Sequence, residues 1–256
     1  MSVQYGAAGG RATITINDPE RRNPMSTETM AELLGATRRA VDDRDVRVIV
    51  YTGAGDRAFS AGGDLSGSFA DDPIGLHQAR GELAELLKMM LRGGKPTVAR
   101  VNGHALAGGF GLAVACDVTI CVDDAKLGAT EVKAGLWPMM ISAILARAMP
   151  RKAALELMLT GRVIDPREAQ RLGAVSRVVA REDLDAAVDE TVGAFLALSP
   201  ATLMLGKDSF FGMADADLDT ALDRLQGGLT EVALTDDSVE GVKAFLEKRG
   251  PRWAGS

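Results

Sequence analysis

With only two cysteines in 256 residues, the chain has no material for a disulfide framework. Cys116 and Cys121 sit in the apolar stretch ACDVTICV, which marks them as reduced core side chains rather than reactive thiols. Histidine is just as scarce. His77 and His104 lie in unrelated contexts without an HxxH or CxxC partner, so no metal site is expected. Basic charge is in deficit, the net charge being −6 with no basic stripe, which argues against a nucleic-acid partner. No apolar run approaches the length of a membrane span, and residues 1–10 are mostly small or polar, unlike a secretory leader. There is no G-x-S-x-G elbow, and no Walker A loop, since Gly94 and Lys95 run into Pro96. These exclusions leave a soluble, cytoplasmic protein acting on a small molecule as the expectation.

Against those absences, 46% hydrophobic and 25% charged residues supply ample material for a core. The length suits one domain, or one with an appended subdomain. Residues 11–17 (RATITIN) alternate and are rich in β-branched side chains, which predicts a strand. NDPERRNP predicts a turn ended by Pro24, after which Ser26 can cap a helix carrying Met30, Leu33, Leu34 and Val41 at helical spacing. VRVIVYT at 46–52 is a nearly unbroken apolar strand, expected to be buried on both faces. A long Gly-rich loop follows at 53–67, then a helix over 74–92 with Leu76, Leu83, Leu86, Leu87, Met90 and Leu91 on its apolar side. Strand 97–103, a Gly-rich corner, a buried helix starting near Gly109 and strand 117–122 suggest a recurring order of strand, corner and helix. Residues 126–138 are expected to be irregular. Helices are expected at 139–149 and 151–160, with a short one capped by Asp165, opened by Pro166 and closed by Gly173, before a strand in AVSRVVA. From Arg181 the chain reads as helical, with breaks near Pro200, Gly227 with Gly228, and Thr235, and with Asp236 or Asp237 capping the last helix. The composition shifts from α/β to all-α near residue 190, which divides the chain into 1–190 and 191–256.

Two Gly-rich breaks carry the chemistry, FSAGGDL at 59–65 and RVNGHALAGGF at 100–110. Ala107, Gly108 and Gly109 have little or no side chain, so another group can approach the backbone closely. The apolar run that follows starts a helix, whose free N–H groups and positive dipole end suit a developing negative charge. Two such breaks can supply converging donors, an oxyanion hole in outline. Gly53, Gly55 and Ala58 formally fit G-x-G-x-x-A, but that fingerprint needs a helix starting there, and the chain runs on into Phe59 instead. Glu131 is the single carboxylate of 126–138. It reads either as an exposed loop carboxylate or as a partly desolvated acid/base with its pKa raised by burial. Asp64 and Asp117 read as turn-capping residues.

In order and approximate spacing, NDPERRNPMS, YTGAGDRAFSAGGDL, KPTVARVNGHALAGGFGLAVACDVTI, KLGATEVKAGLWP, LTGRVID, RLGAVSRVV and AFLEKR resemble the crotonase (enoyl-CoA hydratase/isomerase) superfamily. The resemblance spans essentially the whole chain. It implies an α/β fold, a crotonase-type ββα spiral (1–190) with a C-terminal α-helical trimerisation region (191–256), assembled as a trimer or a hexamer of two trimers. It also implies an acyl-CoA substrate whose coenzyme A is part of the substrate, so that no separate cofactor is expected. Gly63 and Gly108 would hold the thioester oxygen through their N–H groups and stabilise an enolate. Ala61, Asp64, Leu65 and Ser66 would line the CoA side, with Arg21 and Arg22 near the CoA phosphates. Phe245 and Lys248 match C-terminal positions that in relatives reach the nucleotide end, sometimes of a neighbouring subunit. Trp137, Met139 and Met140, with the helix at 74–92, would wall the acyl pocket.

The departures bear on the reaction. Hydratases of the superfamily carry two catalytic glutamates; one maps to Glu131, and the other to Gly111. A lone glutamate can still shuttle a proton between two carbons, which is all a double-bond shift requires, so isomerisation is slightly favoured over hydration. Met139 and Met140 should leave less room for a catalytic water, and Lys133 is expected to lower the pKa of Glu131. The other readings are an acyl-CoA-binding protein with little catalysis, a decarboxylase or thioesterase using the same oxyanion hole, and an RNA-binding member, which the acidic charge disfavours.

Overall fold

The computed structural model describes residues 1–64 and 73–256, so the expected CoA-side residues Leu65 and Ser66 lie outside the described residues. Strands β1 (Val3–Ala8) and β2 (Arg11–Ile16) form an antiparallel hairpin, and the short β3 (Pro24–Met25) leads into α1 (Thr27–Asp42). The Ser26 hydroxyl accepts a hydrogen bond from the Thr29 N–H, the cap expected from sequence. β4 (Val48–Gly53) is buried at every position and lies between parallel neighbours, as its unbroken apolar run demands.

The expected Gly-rich loop contains two short strands, β5 (Ala58–Ser60) and β6 (Gly62–Gly63), and α2 (Pro73–Arg92) follows. β7 (Thr97–Val101) turns through β8 (His104–Leu106) into α3 (Gly108–Val114). β9 (Val118–Val122) turns through β10 (Leu127–Gly128) and a 3-10 turn, Glu131–Ala134, into α4 (Met139–Ala148). The segment expected to be irregular, 126–138, is so apart from β10 and this 3-10 turn. α5 (Arg151–Thr160), α6 (Pro166–Arg171) and β11 (Arg177–Val179) complete the core, with Asp165 capping α6 as expected.

The long strands make one six-stranded sheet in the order β1-β2-β4-β7-β9-β11, and the corner strands pair separately as β10-β8-β5. Each repeat thus adds a long strand to one sheet and a short strand to the other, then a helix. This is a ββα spiral. Cys116 and Cys121 are free and buried, and burial raises both thiols, Cys121 to about 12, which keeps them protonated core side chains.

Four further helices follow: α7 (Leu184–Leu196), α8 (Pro200–Met213), α9 (Leu218–Ala233) and α10 (Asp236–Glu247). Residue 190 falls inside α7, which packs against β4, β7 and β9. Gly227 and Gly228 do not break the chain but lie within α9. A Cβ on Gly228 would stand 3.0 Å from Ser209 Oγ, so the glycine lets α8 and α9 pack closely. The break falls instead before Asp217, whose carboxylate accepts from the Thr220 N–H and caps α9. Thr235, not Asp236 or Asp237, caps α10, because Asp237 is engaged with Ser199 and the C-terminal tail.

Candidate active site

Backbone packed on backbone defines the centre of the site. Ala107 adopts φ 50° and ψ −128°, a conformation costly for a residue with a Cβ, and no side chain caps the start of α3. The N–H of Gly108, first in that helix, therefore has no intrahelical acceptor. Gly62, at φ 91°, fits against this turn only because it lacks a side chain. A Cβ there would lie 2.7 Å from Ala107 Cβ and 2.8 Å from the Leu106 carbonyl oxygen. Ser60, fully buried, accepts from the Gly62 N–H at 3.1 Å, and a Cβ on Gly109 would meet Ser60 at 2.6 Å.

The first Gly-rich break is held from its other side by β3 and the turn before it. Ala61 donates its N–H to the Arg22 carbonyl at 2.9 Å, and Asp64 donates to that of Met25 at 3.1 Å. Alternation along β6 turns the Gly63 N–H the opposite way from that of Asp64. Gly63 and Gly108 both line one cavity of about 670 Å³. The Gly63 nitrogen lies 3.9 Å from where a Cβ on Gly108 would stand. The structure thus brings together the two glycines singled out from sequence.

Glu131 opens the 3-10 turn after β10 and lines the same cavity. Its Oε2 is buried without a hydrogen-bond partner among the described residues, and burial holds its carboxyl above the ordinary carboxylate range. The expected influence of Lys133 is not found: the Lys133 side chain turns toward Gly161, and the Glu131 carboxyl is raised rather than lowered. Trp137, Met139 and Met140 all line the cavity, Met139 at an exposed rim and the other two packed against the core.

Asp64 and Ala61 also line the cavity. Asp64 is more than a turn cap, since its carboxylate accepts from Arg21 Nη2 at 2.8 Å. Arg22 is exposed at φ 66°. Phe245 and Lys248 are not brought to this cavity within one chain: Phe245 is 82% exposed on α10, and Lys248 forms the left-handed cap at that helix's end. Leu83 lines the cavity from α2, the helix expected to wall the acyl pocket, whereas sequence reasoning missed Met25, Met30 and Ile141 on the cavity wall. Helical spacing had flagged Met30 only as a core residue, and nothing local marked Met25 or Ile141.

A second cavity of about 550 Å³ lies beneath α8, but its charges are already paired. Lys207 donates to Asp117 at 2.6 Å and to the carbonyls of Met90 and Lys95, while Asp117 accepts from Thr97. That network ties helix to sheet and leaves no group poised for chemistry.

The profile of the enoyl-CoA hydratase/isomerase family matches residues 7–256. The chain belongs to the enoyl-CoA hydratase/isomerase family. It is 39% identical to the Thermus thermophilus protein named "Putative enoyl-CoA hydratase" over 252 residues, 96% of this chain and 98% of that one. Identity to the mitochondrial enoyl-CoA hydratase domain-containing protein 3 of Rattus norvegicus is 31%, covering 96% of this chain and 82% of the relative. A crystal structure of an enoyl-CoA hydratase from Mycobacterium smegmatis superposes with a TM-score of 0.94 at 30% identity, covering 99% of each chain. The fold is therefore the crotonase fold, in an enzyme family that acts on acyl-CoA thioesters, and this chain has a cavity beside its two Gly-rich turns.

Proposed function

We propose that this enzyme moves a carbon–carbon double bond in an enoyl-CoA thioester, with Glu131 as the single acid/base and the N–H groups of Gly63 and Gly108 holding the thioester oxygen. The observation that carries the proposal is the Glu131 carboxyl, buried in the cavity wall with Oε2 unpartnered among the described residues and its pKa raised. A carboxylate there takes a proton from carbon with little competition from solvent. As that proton leaves, charge gathers on the thioester oxygen, where each preorganised N–H donor contributes about 3–4 kcal/mol of barrier lowering. The glutamic acid, whose proton exchanges in part with solvent while the enolate is held, then protonates the carbon at the other end of the enolate. One C–H bond breaks, one forms, and no water is consumed.

The names of several relatives speak for hydration; Gly111, which offers no second carboxyl, speaks for the double-bond shift. The CoA is the substrate's own, and no further cofactor takes part in this scheme. Assembly as a trimer, or a hexamer of two trimers, accounts for the apolar residues left exposed on α9 and α10, among them Leu229 (71%) and Phe245 (82%). In such an assembly Phe245 and Lys248 would complete the CoA end of a neighbouring site. The working compartment in this reading is the cytoplasm. Glu131→Gln is expected to lower turnover of a 3-enoyl-CoA by about 10²–10⁴-fold while KM changes little. Full activity in that variant would refute the proposal.

A further inference from the structure

Gly108 is the first residue of α3 and Gly111 lies one turn later, so the two share a helix face. Gly108 lines the cavity, and the space in front of Gly111 is filled. A Cβ on Gly111 would overlap Cγ2 and Cβ of Ile141. Ile141 is 2% exposed and lines the same cavity as Glu131, Gly63 and Gly108. One volume is thus shared by two positions far apart in sequence. It is occupied from 141 and vacated at 111. A water held in a protein interior needs about two to four polar partners. An isoleucine supplies none at this position, and the other carboxylate on the cavity wall besides Glu131, Asp64, is engaged by Arg21 at 2.8 Å.

Resting on the enolising site proposed above, we propose that Ile141 is a specificity-determining residue. By filling the side-chain space over Gly111, it denies that position on α3 both a water and a second proton carrier. Addition of water to a 2-enoyl thioester forms a C–O bond at the β carbon and a C–H bond at the α carbon; a base removes one proton from the water, and an acid supplies the α proton. The double-bond shift breaks one C–H bond and forms another, and a single carboxyl can carry that proton. Ile141 leaves room for the second reaction only. The pair is coupled by geometry, so a carboxylate at 111 requires a small residue at 141.

The test uses the full-length chain with Gly111→Glu, Ile141→Ala and the double variant. Two quantities are read: the melting temperature, and the ratio of 3-hydroxyacyl-CoA formed from a 2-enoyl-CoA to double-bond shift of a 3-enoyl-CoA. Gly111→Glu alone is expected to lower the melting temperature, and adding Ile141→Ala is expected to recover part of the loss. The double variant is expected to raise the hydration-to-shift ratio roughly 100-fold over the unaltered enzyme, the lower end of what a positioned proton carrier contributes. Ile141→Ala alone should raise it by less. Gly111→Glu as stable as the unaltered enzyme with Ile141 in place would overturn the proposal, as would a recovered double variant with an unchanged ratio. Deuterium uptake from solvent into the acyl chain separates the two readings. Normal uptake with an unchanged ratio sinks this inference alone, whereas no uptake in the unaltered enzyme sinks the enolising site and this inference with it.

Discussion

Glu131 owes its raised pKa to burial, the largest influence on its carboxyl, and this fixes the sign of two pH effects. The folded state binds this proton more tightly than the unfolded chain. The stability it contributes is therefore complete below the unfolded value of about 4.3 and is lost as pH rises through the folded pKa. Glu131→Gln removes the buried charge, so its melting temperature should exceed that of the unaltered enzyme by a few degrees near pH 8, with the difference shrinking toward pH 4. Because the base must be ionised to accept a proton, kcat/KM should fall as pH drops through that raised pKa. A midpoint at the ordinary carboxylate value of about 4.3 would contradict the burial argument. At this scale the sequence shows Glu131 as the one carboxylate of an apolar segment and leaves open whether it is exposed or desolvated. It does not show that Lys133 points away, because side-chain direction depends on the 3-10 turn that contains both residues. Nor does it reveal Ile141 over Gly111, since that contact joins two elements and exists only after α3 and α4 pack.

Local chemistry made the elements largely readable. Ser26 and Asp165 cap the helices they precede because a short oxygen-bearing side chain before an apolar-periodic run has few other tasks. Where a tertiary contact competes, the local signal misleads. Asp237 looks like a cap, but it is 1% exposed and accepts from Ser199 Oγ at 2.7 Å and from the N–H groups of Ala254 and Gly255. Burial would raise this carboxyl, but the hydrogen bonds outweigh it and hold the group below the ordinary range. Its contribution to stability is thus present above the unfolded value near 4 and is lost as pH falls through the depressed folded pKa. Asp237→Ala should cost about 2–3 kcal/mol at pH 7, measured by denaturant unfolding, and should flatten the acid limb of the stability profile. The Gly-rich turns give a second prediction at this scale. Gly62→Ala places a Cβ against Ala107 at a positive φ, and should cost about 1–3 kcal/mol of stability. Kinetics on the folded fraction should show a loss in kcat larger than any rise in KM, because the proposed oxyanion donors, Gly63 and Gly108, would move relative to each other.

Across the whole molecule, the ββα spiral serves the site by stacking its corner strands into a second small sheet, which sets the turns after β5 and β8 side by side. The recurring order of strand, corner and helix showed through in the sequence, whereas the pairing of the corner strands did not, because two- and three-residue strands carry no periodicity. The C-terminal helices leave Leu229, Leu234 and Phe245 in solvent on the isolated chain, and a partner copy is what the proposed assembly places on them. Leu229→Glu combined with Phe245→Glu should shift the sedimenting species toward monomer and weaken acyl-CoA binding; an unchanged sedimentation coefficient would refute that use of the two helices. The central claim is that one buried carboxyl beside two backbone donors shifts the double bond by taking a proton from one carbon and protonating another, exchanging in part with solvent on the way. Its most direct test is incubation of the enzyme and of Glu131→Gln with a 3-enoyl-CoA in deuterated water, followed by mass spectrometry of the acyl chain. The account predicts deuterated 2-enoyl-CoA without 3-hydroxyacyl-CoA from the unaltered enzyme and almost none from the variant. Deuterium uptake that survives in Glu131→Gln, or 3-hydroxyacyl-CoA as the main product, would contradict it.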